Sequence, residues 1–246
     1  MSKTIIIAGD SWGCGELDEH VIDRREIAHP GLATYFQEAG YQVVNLSQMG
    51  GGNKNSAESI DAFLHVNKHL ESPCVIVFQT EWDRDILAED PAEIRNNIEE
   101  GYEEFKNRAI AKFYYRLLFS SQRHGVPVYI VGGCGDADWL DKFETEYPGL
   151  RIVCQSLTNL LVKNDHRVLR PVYSTFGMGH ETVIEYIKKH VSSADLELLI
   201  ADIDAGNRRA VAWQDNKKYF WPDGYHPNRE GHRVLFEFLK KQIPGL

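Results

Sequence analysis

Two short motifs at opposite ends of the chain carry groups that could do chemistry together. Near the start, Ile5-Ile6-Ile7-Ala8-Gly9-Asp10-Ser11 runs an apolar segment straight into a serine. Near the end, Pro222-Asp223-Gly224-Tyr225-His226 sets a carboxylate and an imidazole three residues apart, and Asn228 follows as an ordinary helix cap. A serine hydroxyl is a weak nucleophile until a base takes its proton, and an imidazole serves best as that base when a carboxylate holds its tautomer. Ser11, His226 and Asp223 therefore supply a nucleophile, a general base and its orienting acid. That set needs no cofactor and no metal.

Such a set works only if the fold brings the chain ends together. Short Val- and Ile-rich runs predict strands over 4–9, 42–46, 74–80, 127–132 and 151–155, each closing in Gly or polar residues. Helical spacing predicts helices over 31–39, 56–70, 91–124, 140–147, 157–163, 179–192 and 229–242, with a further one near 194–201. Strand–helix alternation of this kind implies a parallel sheet covered on both faces, an α/β class. A serine at the end of the first strand then stands at the carboxyl edge, where open α/β sheets keep their sites. With no repeat and no low-complexity linker, residues 1–246 read as one domain. An insertion at about 164–222 delivers the chain to Asp223. Tyr102, Phe105, Phe113, Tyr114, Tyr115 and Phe119 recur at helical spacing in 91–124 and read as core.

Composition removes several other classes. The net charge is −9, from 27 basic against 36 acidic side chains, which argues against a nucleic-acid footprint or an anionic membrane surface. No run approaches a membrane span, and the apolar stretch at 5–8 is too short for the core of a signal peptide. Cys14, Cys74, Cys134 and Cys154 form no Cys-x-x-Cys pair and have no zinc-type spacing to histidines. A reducing, cytoplasmic setting is the expectation.

Ala8-Gly9-Asp10-Ser11-Trp12-Gly13 and Pro222-Asp223-Gly224-Tyr225-His226-Pro227-Asn228 resemble the first and fifth blocks of the SGNH (GDSL) hydrolase family. The resemblance implies a three-layer α/β/α fold with a five-stranded parallel sheet of flavodoxin-like order. It also implies a serine esterase in which Ser11 attacks, His226 is the base and Asp223 orients it. The family places a glycine after the second strand, whose N–H joins the oxyanion hole. Gly50, Gly51 and Gly52 all offer one, and Gly51 is favoured. After the third strand the family has Gly-x-Asn-Asp, the Asn donating to the oxyanion, whereas this chain reads Gln79-Thr80-Glu81-Trp82-Asp83-Arg84. Glu81 falls in the Asn position, where a carboxylate would repel an oxyanion unless Arg84 neutralises it. Gln79 or Asn53 could supply the missing amide, and losing one such donor costs roughly 10²–10³ in rate.

Around this core of groups, Trp12, Glu81, Trp82 and Trp221 are expected to flank the pocket, with Trp213 beside Trp221 setting the substrate class. Aromatic faces suit sugar rings and acyl groups, so a small-molecule or carbohydrate ester, such as an O-acetyl sugar, is the expected substrate. A non-catalytic binding module or an O-acyltransferase on the same fold is the competing reading. His232 falls in the final helix and reads as structural. Cys14, three residues past Ser11, lacks a second base. Asp136 and Asp138 lack a histidine that would complete a metal site.

Overall fold

The computed structural model describes residues 3–17, 26–88, 92, 94, 96, 102–133, 137, 149–161, 169–171, 189, 209–211, 218–221 and 226–246. In chain order these hold β1 (Thr4–Ala8), α1 (Ser11–Cys14), β2 (Glu16–Leu17), β3 (Ile27–His29), α2 (Leu32–Glu38), β4 (Gln42–Asn45), α3 (Asn53–Val66) and β5 (Cys74–Gln79). A 3-10 turn (Trp82–Ala88), α4 (Tyr102–His124), β6 (Val128–Gly132), β7 (Leu150–Cys154), α5 (Leu157–Leu161), β8 (Leu169–Pro171), β9 (Arg209–Val211) and α6 (Arg229–Gln242) follow.

Five strands form one parallel sheet in the order β4-β1-β5-β6-β7. Every residue of β1, β5 and β6 is buried, because a parallel sheet is covered on both faces and selects continuous apolar runs. The pleat sorts them. Ile5, Ile7, Ile76 and Phe78 join the core under α2, α5 and α6 through Phe36, Leu157 and Leu235. Ile6, Ala8, Val75 and Val77 face α3 and α4 through Ile60, Phe113 and Leu117. Helix, sheet and helix thus make three layers, and the strand order is the flavodoxin-like 2-1-3-4-5.

The sheet strands fall within a residue of their expected limits, and α6 matches 229–242. Asn228 starts α6, its Oδ1 accepting from the Gly231 N–H at 3.0 Å, and Leu235, Phe236 and Leu239 form its buried stripe. The aromatic run needs correction. Phe105, Phe113 and Tyr114 are buried, but Tyr115 and Phe119 are 53% and 62% exposed. Each residue turns the helix by 100°, which carries Tyr115 and Phe119, four residues apart on one face, off the stripe that Phe113, Tyr114, Leu117 and Leu118 bury. The expected helices at 140–147, 179–192 and 194–201 lie outside the described residues, apart from Lys189, which is helical. Within 164–222, β8 and β9 pair antiparallel. No helix among the described residues is long and apolar enough to cross a membrane.

Candidate active site

Ser11 follows β1 directly, at the carboxyl edge beside the point where the strand order reverses between β1 and β5. The turn that places it depends on Gly9, whose φ of +146° is a conformation side chains resist; a Cβ there would lie 2.7 Å from the Phe78 Cβ. Asp10 then caps α1, its Oδ1 accepting from the Trp12 N–H at 3.0 Å. Gly9→Ala is expected to cost about 2 kcal/mol or more and to shift Ser11 from its place. A urea midpoint equal to the parent's would contradict that account of the turn.

The far end of the chain arrives through a small clasp. Phe220 bridges Pro227, the Trp221 N–H donates to the His226 carbonyl at 2.8 Å, and the Asn228 N–H donates to the Tyr219 carbonyl at 2.9 Å. The Asn228 amide also donates to the carbonyls of Lys218 and Phe220. Because Phe220 is buried in the core, the clasp fixes His226 relative to the sheet. Its Nε2 lies 2.8 Å from the Ser11 Oγ, within reach for direct proton transfer. Ser11 is 7% exposed. Asp223 and Trp213 lie outside the described residues.

The oxyanion candidates separate by what already occupies them. The Gly51 N–H donates to the Gln48 carbonyl at 2.9 Å, so the favoured glycine has a committed donor: residues 48–51 close a tight turn. Among the described residues, the backbone N–H groups of Ser11 and Gly52 have no partner. Asn53 pairs both ways with the Thr80 backbone, donating to its carbonyl at 3.1 Å and accepting from its N–H at 2.9 Å. It ties the start of α3 to the end of β5. Gln79 accepts from the Tyr114 hydroxyl, on the α4 side of the sheet.

Three aromatic residues expected at the pocket fare differently. Trp12 is 1% exposed and lies in the core cluster with Phe36 and Phe78, so it packs beneath Ser11 and does not line a pocket. Trp82 stacks edge-on with Phe105 of α4, ring centres 5.6 Å apart. Trp221 is half-buried, and its backbone N–H donates to the His226 carbonyl.

No protein-family model matches the chain, and no curated protein matches its sequence. Solved structures do match. TesA has a TM-score of 0.43 at 14% identity, covering 98% of each chain. A lipolytic G-D-S-L family protein from Veillonella parvula has a TM-score of 0.43 at 12% identity over all of both chains. A lipase/acylhydrolase from Enterococcus faecalis has a TM-score of 0.39 at 17% identity, covering 100% of this chain and 96% of the other. The chain's own sheet order, with Ser11 behind β1 and His226 ahead of α6, is a three-layer α/β/α arrangement of flavodoxin-like order.

Against the SGNH pattern, the segment after β5 is the main departure, and here the chain builds a network that sequence reasoning saw only in part. The Arg84 Nε lies 2.6 Å from Glu81 Oε2, and its Nη1 lies 3.4 Å from Asp10 Oδ2. The Thr80 hydroxyl reaches Asp10 Oδ2 at 2.7 Å and Glu81 Oε2 at 2.8 Å. Glu81 is therefore held in an ion pair and does not stand as a bare charge beside the serine. The Glu81–Arg84 spacing was visible in the sequence; Thr80 and Asp10, 70 residues apart, left no local signal. Two nearby titratable groups stay neutral. Burial, with the Asp10 charge adding to it, pushes the Cys14 thiol up to about 11, which removes it as a rival nucleophile. Burial, reinforced by His29 and His226, pushes His232 down to about 3.

Proposed function

We propose that the protein is a serine ester hydrolase acting on a small acyl ester. The reading rests on one observation above all, the 2.8 Å approach of Ser11 Oγ to His226 Nε2 at the carboxyl edge of the sheet. Ser11 Oγ attacks the ester carbonyl carbon as His226 Nε2 takes its proton. The tetrahedral oxyanion is held by the backbone N–H groups of Ser11 and Gly52. Its collapse breaks the bond to the alcohol, which leaves with the proton from His226. Water then gives a proton to His226 and attacks the acyl-serine; His226 returns that proton to the departing Ser11 Oγ, releasing the carboxylic acid and restoring both groups. Asp223 is assigned the role of holding the imidazole tautomer.

For the substrate we assign an O-acetyl ester of a carbohydrate, with Trp221 beside His226 as the sugar-facing wall. Purified protein should hydrolyse 4-nitrophenyl acetate faster than the octanoate and should release acetate from acetylated sugars. Trp221→Ala should raise KM for the acetylated sugar by roughly two- to tenfold, the worth of one aromatic contact. A preference for long acyl chains, with KM for the sugar ester unmoved by Trp221→Ala, would overturn the substrate assignment and leave the hydrolase reading in place.

A further inference from the structure

We propose that Arg84 is a positioning residue for the nucleophile, acting through Asp10. Its starting point is a shared hydroxyl. Asp10 is fully buried and uses Oδ1 to cap the turn that begins with Ser11. Its Oδ2 shares the Thr80 hydroxyl with Glu81, yet a hydroxyl has one proton to give. Two carboxylates thus converge on a single neutral donor, an arrangement that repels unless a cation joins it. Arg84 is that cation: its guanidinium reaches Glu81 with Nε and Asp10 with Nη1.

Other charged groups lie nearby. Asp85 accepts from the Lys54 N–H at 2.9 Å at the start of α3. Arg108 and Lys112 of α4 line a small cavity together with Trp82 and Asp85. Cys14 is a neutral thiol at ordinary pH. His232 and His29 lie on the His226 side and bring no anion.

Without Arg84, Asp10 and Glu81 compete for the Thr80 proton, and Asp10 is driven from the Trp12 N–H. Ser11, one residue along, then leaves its 2.8 Å approach to His226. Glu81 brings a second carboxylate beside Asp10 where the SGNH pattern has an Asn, and that charge makes the chain dependent on this compensation. The inference draws on the hydrolase reading only for its consequence in rate; the capping geometry stands by itself.

The test compares Arg84→Gln, Arg84→Lys and the double variant Glu81→Gln/Arg84→Gln with the parent. Amide hydrogen exchange at Trp12 reports the cap, and kcat and KM for an aryl acetate report the reaction. In Arg84→Gln, Trp12 exchange should quicken about tenfold or more. Its kcat should fall by roughly 10–10² with KM within about twofold, the pattern of a misplaced reacting group. Arg84→Lys should recover much of both. The double variant should also recover, because removing the Glu81 charge leaves the Thr80 proton to Asp10; lost packing would not be mended that way. Parent-like exchange in folded Arg84→Gln overturns the proposal, as does a double variant no better than the single one. Should Arg84→Gln fail to fold, the double variant decides: a folded protein with a protected Trp12 amide supports the proposal, and an unfolded one overturns it. A parent that turns over no ester would refute the hydrolase reading, while Trp12 exchange would still judge this one.

Discussion

Ser11→Ala is expected to reduce kcat/KM for a short aryl ester by at least roughly 10³, with the fold unchanged. In the proposed mechanism the hydroxyl both attacks and carries the acyl group, so no neighbour can stand in for half of its work and the effect is large. Cys14 is close in sequence, but its thiol, pushed up to about 11 by burial and by Asp10, supplies little thiolate at neutral pH. The substitution is gentle: Ser11 Oγ bonds only to His226 among the described residues, so a methyl group strands no other partner. His226→Ala should cost a similar factor, and the double variant little more than either alone, since the two groups act as a unit. Additive losses would show that they act independently.

The second large effect is on stability. The fold is expected to lose up to about 1.4 kcal/mol per pH unit below pH 6.5 through His232 alone. His232 is fully buried on the apolar stripe of α6, against Phe78, and neither ring nitrogen has a partner among the described residues. Burial, with His29 and His226 nearby, holds it down at about 3 from an ordinary value of 6.5. Between these values the unfolded chain binds a proton that the folded one refuses. Stability is therefore intact above 6.5 and declines as pH falls toward 3. At pH 4.5 the expected loss is about 2.5 kcal/mol relative to neutral pH. Urea unfolding of the parent and of His232→Leu across pH 4.5–7.5 tests this. The variant should show the shallower slope whatever its absolute stability, and parallel slopes would contradict the account.

The parts of this fold that the sequence announces are those governed by local pattern. β5 reads as Cys-Val-Ile-Val-Phe-Gln because both its faces are buried. α6 is legible because a capping Asn228 and an apolar stripe agree. By contrast, α3 begins at Asn53, three residues ahead of the expected 56, since the pairing of Asn53 with the Thr80 backbone is tertiary. The β2–β3 hairpin rests on strands of two and three residues, too short for alternation to register. In the site, residue types and spacing bring out Ser11 and His226, whose chemistry is explicit in the side chain. The oxyanion candidates are harder to read. Whether Gly51 or Gly52 has a spare N–H depends on a turn bond from Gly51 to Gln48, and no residue type encodes it. Trp12 misleads for a related reason: adjacency to a nucleophile says nothing about which face of a one-turn helix a side chain takes, and here it takes the core.

Labelling with a fluorophosphonate, followed by peptide mass spectrometry, tests the central claim most directly, because the probe phosphonylates only a serine whose proton a base removes. The 2.8 Å contact between Ser11 and His226 predicts one adduct, on Ser11, absent from Ser11→Ala and slowed by at least roughly 10² in His226→Ala. Folded parent protein that takes up no label, or takes it at another residue, would contradict it and leave the reading as a non-catalytic binding module.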